Sequence, residues 1–257
     1  IVKIILLLKI ISFTKGNSGI SLNVVNMLIE FFNNDCLPII PSKGSVGASG
    51  DLAPLSHMAL PLIGLGYMKY KKEIISSKEA LEKNNLQPVK LGAKEGLALI
   101  NGTQFSTAYG VLCLNKLHDL FKMCDLTSAM TLEALQGSKK PFLNYVNMVK
   151  PYRGQLDTCK NIISILKDSE IMDSHKNCER VQDMYSLRCI PQVHGSARDL
   201  LYFSKNQINI EINSVSDNPL VFSDKNKIIS AGQFHAEAVA HSLDIAAIAI
   251  ASISNIS

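Results

Sequence analysis

The run from Gly44 to His57 (Gly-Ser-Val-Gly-Ala-Ser-Gly-Asp-Leu-Ala-Pro-Leu-Ser-His) constrains this chain more than any other part of it. Gly44, Gly47 and Gly50 admit backbone angles closed to other residues, and Pro54 fixes its own φ, so the segment reads as a sharply shaped, rigid loop. Its centre, Ala48-Ser49-Gly50, can react with itself. Attack of the Gly50 amide nitrogen on the Ala48 carbonyl closes a five-membered ring, and two dehydrations turn Ser49 into an exocyclic methylidene, an electrophile. A Cβ on the attacking residue would block the compressed backbone, and the carbonyl residue must be small for the same reason. Such strain survives only where the surroundings over-determine it, so a rigid scaffold is required.

Other chemistries fit the loop poorly. No Gly-Lys-Ser/Thr closes the glycine-rich run, which argues against a phosphate loop. In Gly47-Ala48-Ser49-Gly50-Asp51 an Asp stands where a nucleophile elbow needs its second glycine, so a serine hydrolase, which would be acylated at Ser49, is remote. No His or Cys pair has zinc spacing, and His235 and His241, six apart, fall on different sides of a helix, so no metal is expected.

Four further blocks accompany the loop: Leu97 to Gln104 (Leu-Ala-Leu-Ile-Asn-Gly-Thr-Gln), Val181 to Gln192 (containing Gln182, Tyr185 and Arg188), Ser216 to Phe222 (Ser-Asp-Asn-Pro-Leu-Val-Phe), and Gly232 to Glu237 (Gly-Gln-Phe-His-Ala-Glu). In content and order the five resemble the aromatic amino-acid ammonia-lyases, and the histidine ammonia-lyases most of all, from about Gly16 to about Ala251. The resemblance implies that Ala48, Ser49 and Gly50 form the prosthetic group 4-methylideneimidazol-5-one, with no metal or nucleotide. It implies that Asn101 hydrogen-bonds near that group and the substrate amine, and that Tyr185 belongs to the catalytic set. Gln182, Arg188 and Phe234 would bind substrate, Arg188 as a guanidinium fork on the carboxylate and Phe234 as an aromatic wall. If the Val181 block is helical, Gln182, Tyr185 and Arg188 share much of one face. Asp51 takes a lesser role, polarising the loop during closure. His57 and His235 are read as structural.

The implied reaction is the non-oxidative deamination of L-histidine to urocanate and ammonia. The alternatives are a phenylalanine or tyrosine ammonia-lyase, or a non-catalytic fragment or assembly module. Two departures bear on this. Met184 and Ala238 stand where histidine ammonia-lyases commonly have proline. The family's base is a tyrosine well upstream of the triad, and this chain has no tyrosine before Tyr67. With no initiator methionine and no cap signal at its start, the chain reads as a piece of a longer protein whose active site these residues do not complete.

The implied fold is mainly α, a long-helix bundle of the aspartase/fumarase-like type. One helical unit over 1–257 is expected, with a loop-rich front portion to about residue 105 and a central bundle from about 106. The pattern agrees: Val111, Leu114, Leu117, Phe121 and Cys124 form an apolar stripe that Gly137 and Pro141 end, and Leu156, Cys159, Ile163 and Leu166 mark another helix. Ser76 and Glu79 make a capping box for a short helix through about Asn84. Leu220–Phe222 and residues 227–230 read as a hairpin. Ile208, Ile210 and Ile212 alternate like a strand, whereas the resemblance implies a continuing helix.

At 47% hydrophobic and 19% charged, the composition suits a globular protein. A net charge of +4, with basic clusters at residues 69–72 and 139–140 read as solvated surface, implies no nucleic-acid partner. Lys3 and Lys9 interrupt the apolar start, and His241 and Asp244 interrupt the run 236–253, so both are read as protein-enclosed helices, not membrane spans. Six scattered cysteines without a CxxC read as reduced core fillers in a cytoplasmic protein. The resemblance also implies a homotetramer with active sites shared between subunits.

Overall fold

The computed structural model describes residues 1–47 and 50–256, and they divide into two compact units. The first comprises Ile1–Leu112 with Gln207–His241; the second comprises Cys113–Asn206 with the residues from Ser242 onward. The unit boundaries fall inside three long helices.

The first unit opens with helix α1 (Val2–Thr14), which buries Ile5, Leu6, Leu8 and Phe13 and so is enclosed on most sides, as its apolar run predicts. Helix α2 (Leu22–Asn33) buries Val24, Leu28 and Phe31 at helical spacing. Strand β1 (Leu37–Pro38) precedes α3 (Leu52–Ala59), and strands β2 (Tyr67–Tyr70) and β3 (Glu73–Ser76) complete a three-stranded antiparallel sheet in the order β1-β2-β3. Lys71 and Lys72, both at positive φ, form the β2–β3 turn, where Asn-Gly is the usual signal. Ser76 accepts the Glu79 amide at 3.2 Å and starts α4 (Ser77–Lys83), as its capping box predicts. Helix α5 (Glu95–Ile100) leads into α6 (Gln104–Ala134). Phe31, Leu55, Met58, Leu62, Met68 and Leu99 lie at the centre of this unit's core.

The second unit contains the rest of α6, α7 (Asn144–Asn147), α8 (Arg153–Ile165), α9 (Glu170–Ser174), α10 (Tyr185–Arg188) and most of α11 (Ile190–Glu211). Helices α8 and α11 cross at Gly154 and Gly195, where a Cβ on either would strike the other helix's backbone. A buried charge cluster also joins its helices. Asp125 on α6 accepts from His194 Nδ1 at 3.1 Å and Asn161 Nδ2 at 2.7 Å, and pairs with Arg198.

Strands β4 (Leu220–Phe222) and β5 (Lys227–Ile229) form the expected hairpin, and α12 (Glu237–Ile256) closes the described chain. The Ile208–Ile212 alternation is helical: α11 buries Ile208 and exposes Ile210. The long-helix fold class expected from sequence is therefore observed.

Two local readings need correction, and a third is met only in part. Cys113 and Cys178 are exposed and only Cys36 and Cys159 fully buried, because the other four lie on helix flanks or in irregular segments, so core filling describes two of the six free cysteines. Lys139 is not simply solvated, since its Nζ reaches the Leu166 carbonyl at 2.9 Å. Helix α12 is long and apolar enough to cross a membrane by length and composition alone, yet only 28% of its most apolar window is buried within the chain, so this chain does not by itself enclose it.

Candidate active site

Ala48 and Ser49, two of the three ring-forming positions, lie outside the described residues. The third is well defined. Gly50 is buried at φ +90°, a conformation that strains any residue with a side chain. A Cβ there would stand 3.1 Å from Asn101 Oδ1 and from the Gly102 nitrogen, and 3.3 Å from the Gly102 oxygen. The structure thus brings Gly50 and Asn101 together, with a glycine-sized space between them.

Asp51 fixes the next residue. Its amide donates to Gly102 O at 2.7 Å. Its fully buried carboxylate accepts Ser106 N and Ser106 Oγ, each at 2.8 Å, and the Ser45 hydroxyl. Because Ser106 lies in the first turn of α6, the carboxylate satisfies an otherwise open helix amide at the positive end of the helix dipole. The loop is tied at Ser45 and Asp51, on either side of the triad, to the start of the longest helix.

Asn101 follows the last turn of α5. Its Nδ2 faces Asp217 Oδ1 and the Asn218 carbonyl, both at 3.4 Å, which leaves Oδ1 toward Gly50. Asp217 is held by Lys94 Nζ at 2.7 Å, and Lys94 also donates to Ser18 O at 2.7 Å. Lys9 Nζ approaches the Asn101 carbonyl at 2.5 Å. Burial pushes the Lys9 ammonium down to about 7, with Asp217 pulling it back up, Lys94 pushing it down and Asp51 pulling it up. Nearby, burial raises the Glu211 carboxyl against the opposing hydrogen bond from Thr103.

Sequence reasoning missed Lys9, Lys94 and Asp217. A signal for the first existed: a cation in the middle of an apolar helix must find polar partners, and Lys9 served only as an argument against a membrane span.

Phe234 lies half-buried between β5 and α12, and among the described residues no hydrogen bond or ring contact joins it to Gly50 or Asn101. In the second unit, Gln182 and Arg188 border an open cavity of about 410 Å³ whose walls include Lys139, Lys140, Lys176 and Arg180 against Asp173 and Asp183. Arg188 Nε donates to Asp183 O at 2.9 Å, which fixes the plane of the guanidinium. This excess of cations suits an anionic group. The condition for a shared face is met only in part: the helix runs from Tyr185 to Arg188, so Gln182 precedes it, and Tyr185 is 74% exposed. Among the described residues no group of three or more His, Cys, Asp or Glu side chains could hold a metal.

Comparisons with known proteins place the chain as a whole. Over 253 residues, or 98% of its length, the chain is 47% identical to a histidine ammonia-lyase of Myxococcus xanthus, covering 50% of that protein. Over its full length it is 49% identical to one from Enterobacter sp. (strain 638), covering 51% of it. The crystal structure of histidine ammonia-lyase from Trypanosoma cruzi superposes on 99% of the chain with a TM-score of 0.90 at 35% identity, covering 47% of that structure. The chain spans about half the length of the curated relatives it matches. The family profile described as aromatic amino acid lyase matches residues 1–257, so the glycine cradle at Gly50 sits in a sequence that is collinear with that family throughout, and the chain belongs to the aromatic amino acid lyase family.

Proposed function

We propose that the protein containing this chain is a histidine ammonia-lyase that converts L-histidine to urocanate and ammonia, using an electrophile made from Ala48, Ser49 and Gly50. The observation that carries this reading is the cradle at Gly50, where the Asn101–Gly102 turn fills the place of a side chain and φ is +90°. A fixed glycine there is what attack of its own nitrogen on Ala48 requires, so the residues present fit the prosthetic group. That group supplies an electron sink for loss of a poor leaving group, the amine, from a carbon beside a weakly acidic C–H.

The chain's own residues have the remaining tasks. Asp51, anchored on α6, holds the loop while it closes. Asn101, its amide nitrogen turned toward Asp217, presents an oxygen beside Gly50 as an acceptor for a substrate amine. Arg188 binds the substrate carboxylate, aided by the positive surroundings of its cavity, and Gln182, Tyr185 and Phe234 complete the substrate's surroundings. Both units belong to one helical domain of a longer chain. Assembly as a homotetramer with shared active sites lets residues of different copies meet at one substrate and covers the exposed face of α12. Six free cysteines fit a reducing, cytoplasmic setting.

The test uses the full-length protein. Histidine should yield urocanate absorbance, and Ser49→Ala should lower turnover by several powers of ten, on the order expected for losing a covalent catalyst. Turnover of phenylalanine with none of histidine would overturn the substrate assignment, and an unchanged rate in Ser49→Ala would overturn the electrophile.

A further inference from the structure

Lys9 is a cation in the apolar heart of α1 and only 1% exposed. A buried ammonium is retained against a large desolvation penalty, and an aliphatic side chain would fill the same space without it. Its contacts show what it is engaged with. Nζ donates to Asn101 O at 2.5 Å and to Gln104 Oε1 at 3.3 Å, and stands 5.1 Å from the centre of the Phe13 ring. The charged groups in electrostatic reach are Asp217, Lys94 and Asp51.

Asn101 and Gly102 are the two residues that a side chain at Gly50 would meet. Lys9 grips this turn by its main-chain carbonyl, and Asp217, braced by Lys94, grips it by the Asn101 side-chain amide. Gly102 in turn accepts the amide of Asp51, the residue that follows Gly50. A short chain of contacts therefore runs from the Lys9 ammonium to the turn that packs beside Gly50 and holds Asp51, the residue after it.

We propose that Lys9 is a positioning residue for ring closure: through Asn101 O it locks the Asn101–Gly102 turn against Gly50, and so holds the Gly50 nitrogen in its attacking geometry. The inference rests on the ammonia-lyase reading. In the closure a bond forms between Gly50 N and the Ala48 carbonyl carbon. The carbonyl oxygen leaves as water with the amide hydrogens of Gly50 and Ser49, and Ser49 loses its hydroxyl and Cα hydrogen as a second water. Nothing is oxidised or reduced.

The test follows intact mass with time after synthesis of the full-length protein, in wild type and in Lys9→Met, Lys9→Gln and Lys9→Arg. Helical circular dichroism reports folding, and Lys9→Gln, which is polar but uncharged and one atom too short to place its nitrogen where Nζ stands, decides the matter should the methionine variant fail to fold. Loss of two waters should slow about tenfold or more in the neutral variants, the scale of a lost charge-assisted hydrogen bond, and recover in Lys9→Arg. Wild type short of two waters with folded neutral variants closing at its rate would overturn the role of Lys9 alone. A wild-type protein of full, unreacted mass would overturn the ring reading itself.

Discussion

Gly50 meets two demands at once, a left-handed backbone and a contact too close for a side chain. Gly50→Ala should therefore strain the loop by about 1–2 kcal/mol from φ alone and displace the Asn101–Gly102 turn. Mass spectrometry of the full-length variant should show no loss of water. Lys9 makes a second prediction, in stability. An unfolded lysine titrates near 10.5, whereas in the fold burial holds Lys9 near 7. Between those values the unfolded chain binds a proton that the folded chain does not, so this group favours unfolding increasingly as pH falls from 10.5 to 7, and by a constant amount below 7. Wild type should gain stability relative to Lys9→Met between about pH 7 and about pH 10, read as the difference in urea midpoints. A pH-independent difference would contradict the lowering of the Lys9 ammonium by burial. Part of this site is legible in sequence, because ring closure itself calls for a glycine at position 50, while Asn101 and Asp51 are marked by the family resemblance of their motifs. The braces around them are not: Lys9, Lys94 and Asp217 come from separate segments, and only the fold shows which carbonyl or amide each one holds.

Helices were the most readable elements, since the stripe on α6, the capping box of α4 and the spacing on α8 all express local rules. The β2–β3 hairpin was missed because Lys71-Lys72 makes a turn with both residues at positive φ and none of the usual glycine or asparagine. The interior of the second unit was equally hidden. Nothing local marks Asp125 as the acceptor for His194, Asn161 and Arg198, residues 36 to 73 positions away. Removing it by Asp125→Ala leaves the largely buried Arg198 guanidinium without its only carboxylate among the described residues and should cost about 3 kcal/mol, measured by denaturant unfolding. Gly195→Ala should also destabilise, by about 1–3 kcal/mol or more, because its new methyl would overlap Gln155 where α8 and α11 cross. A neutral result in either case would mean that these helices pack differently.

Helix α12 leaves most of its apolar window uncovered, with Ile248 58% exposed. In the proposed homotetramer that surface is buried between copies, so Ile248→Lys in the full-length protein should lower the assembly state in sedimentation while leaving helical content unchanged. Retention of the wild-type assembly would exclude this face from the interface. Family membership, the helical framework and the shaped space at Gly50 all bear on one claim, that a tripeptide of this chain becomes the reactive group. The direct measurement is the mass of the peptide spanning Gly47 to Asp51 from the full-length wild-type protein. A peptide lighter than its sequence by two waters is predicted, and one of unmodified mass would contradict the account.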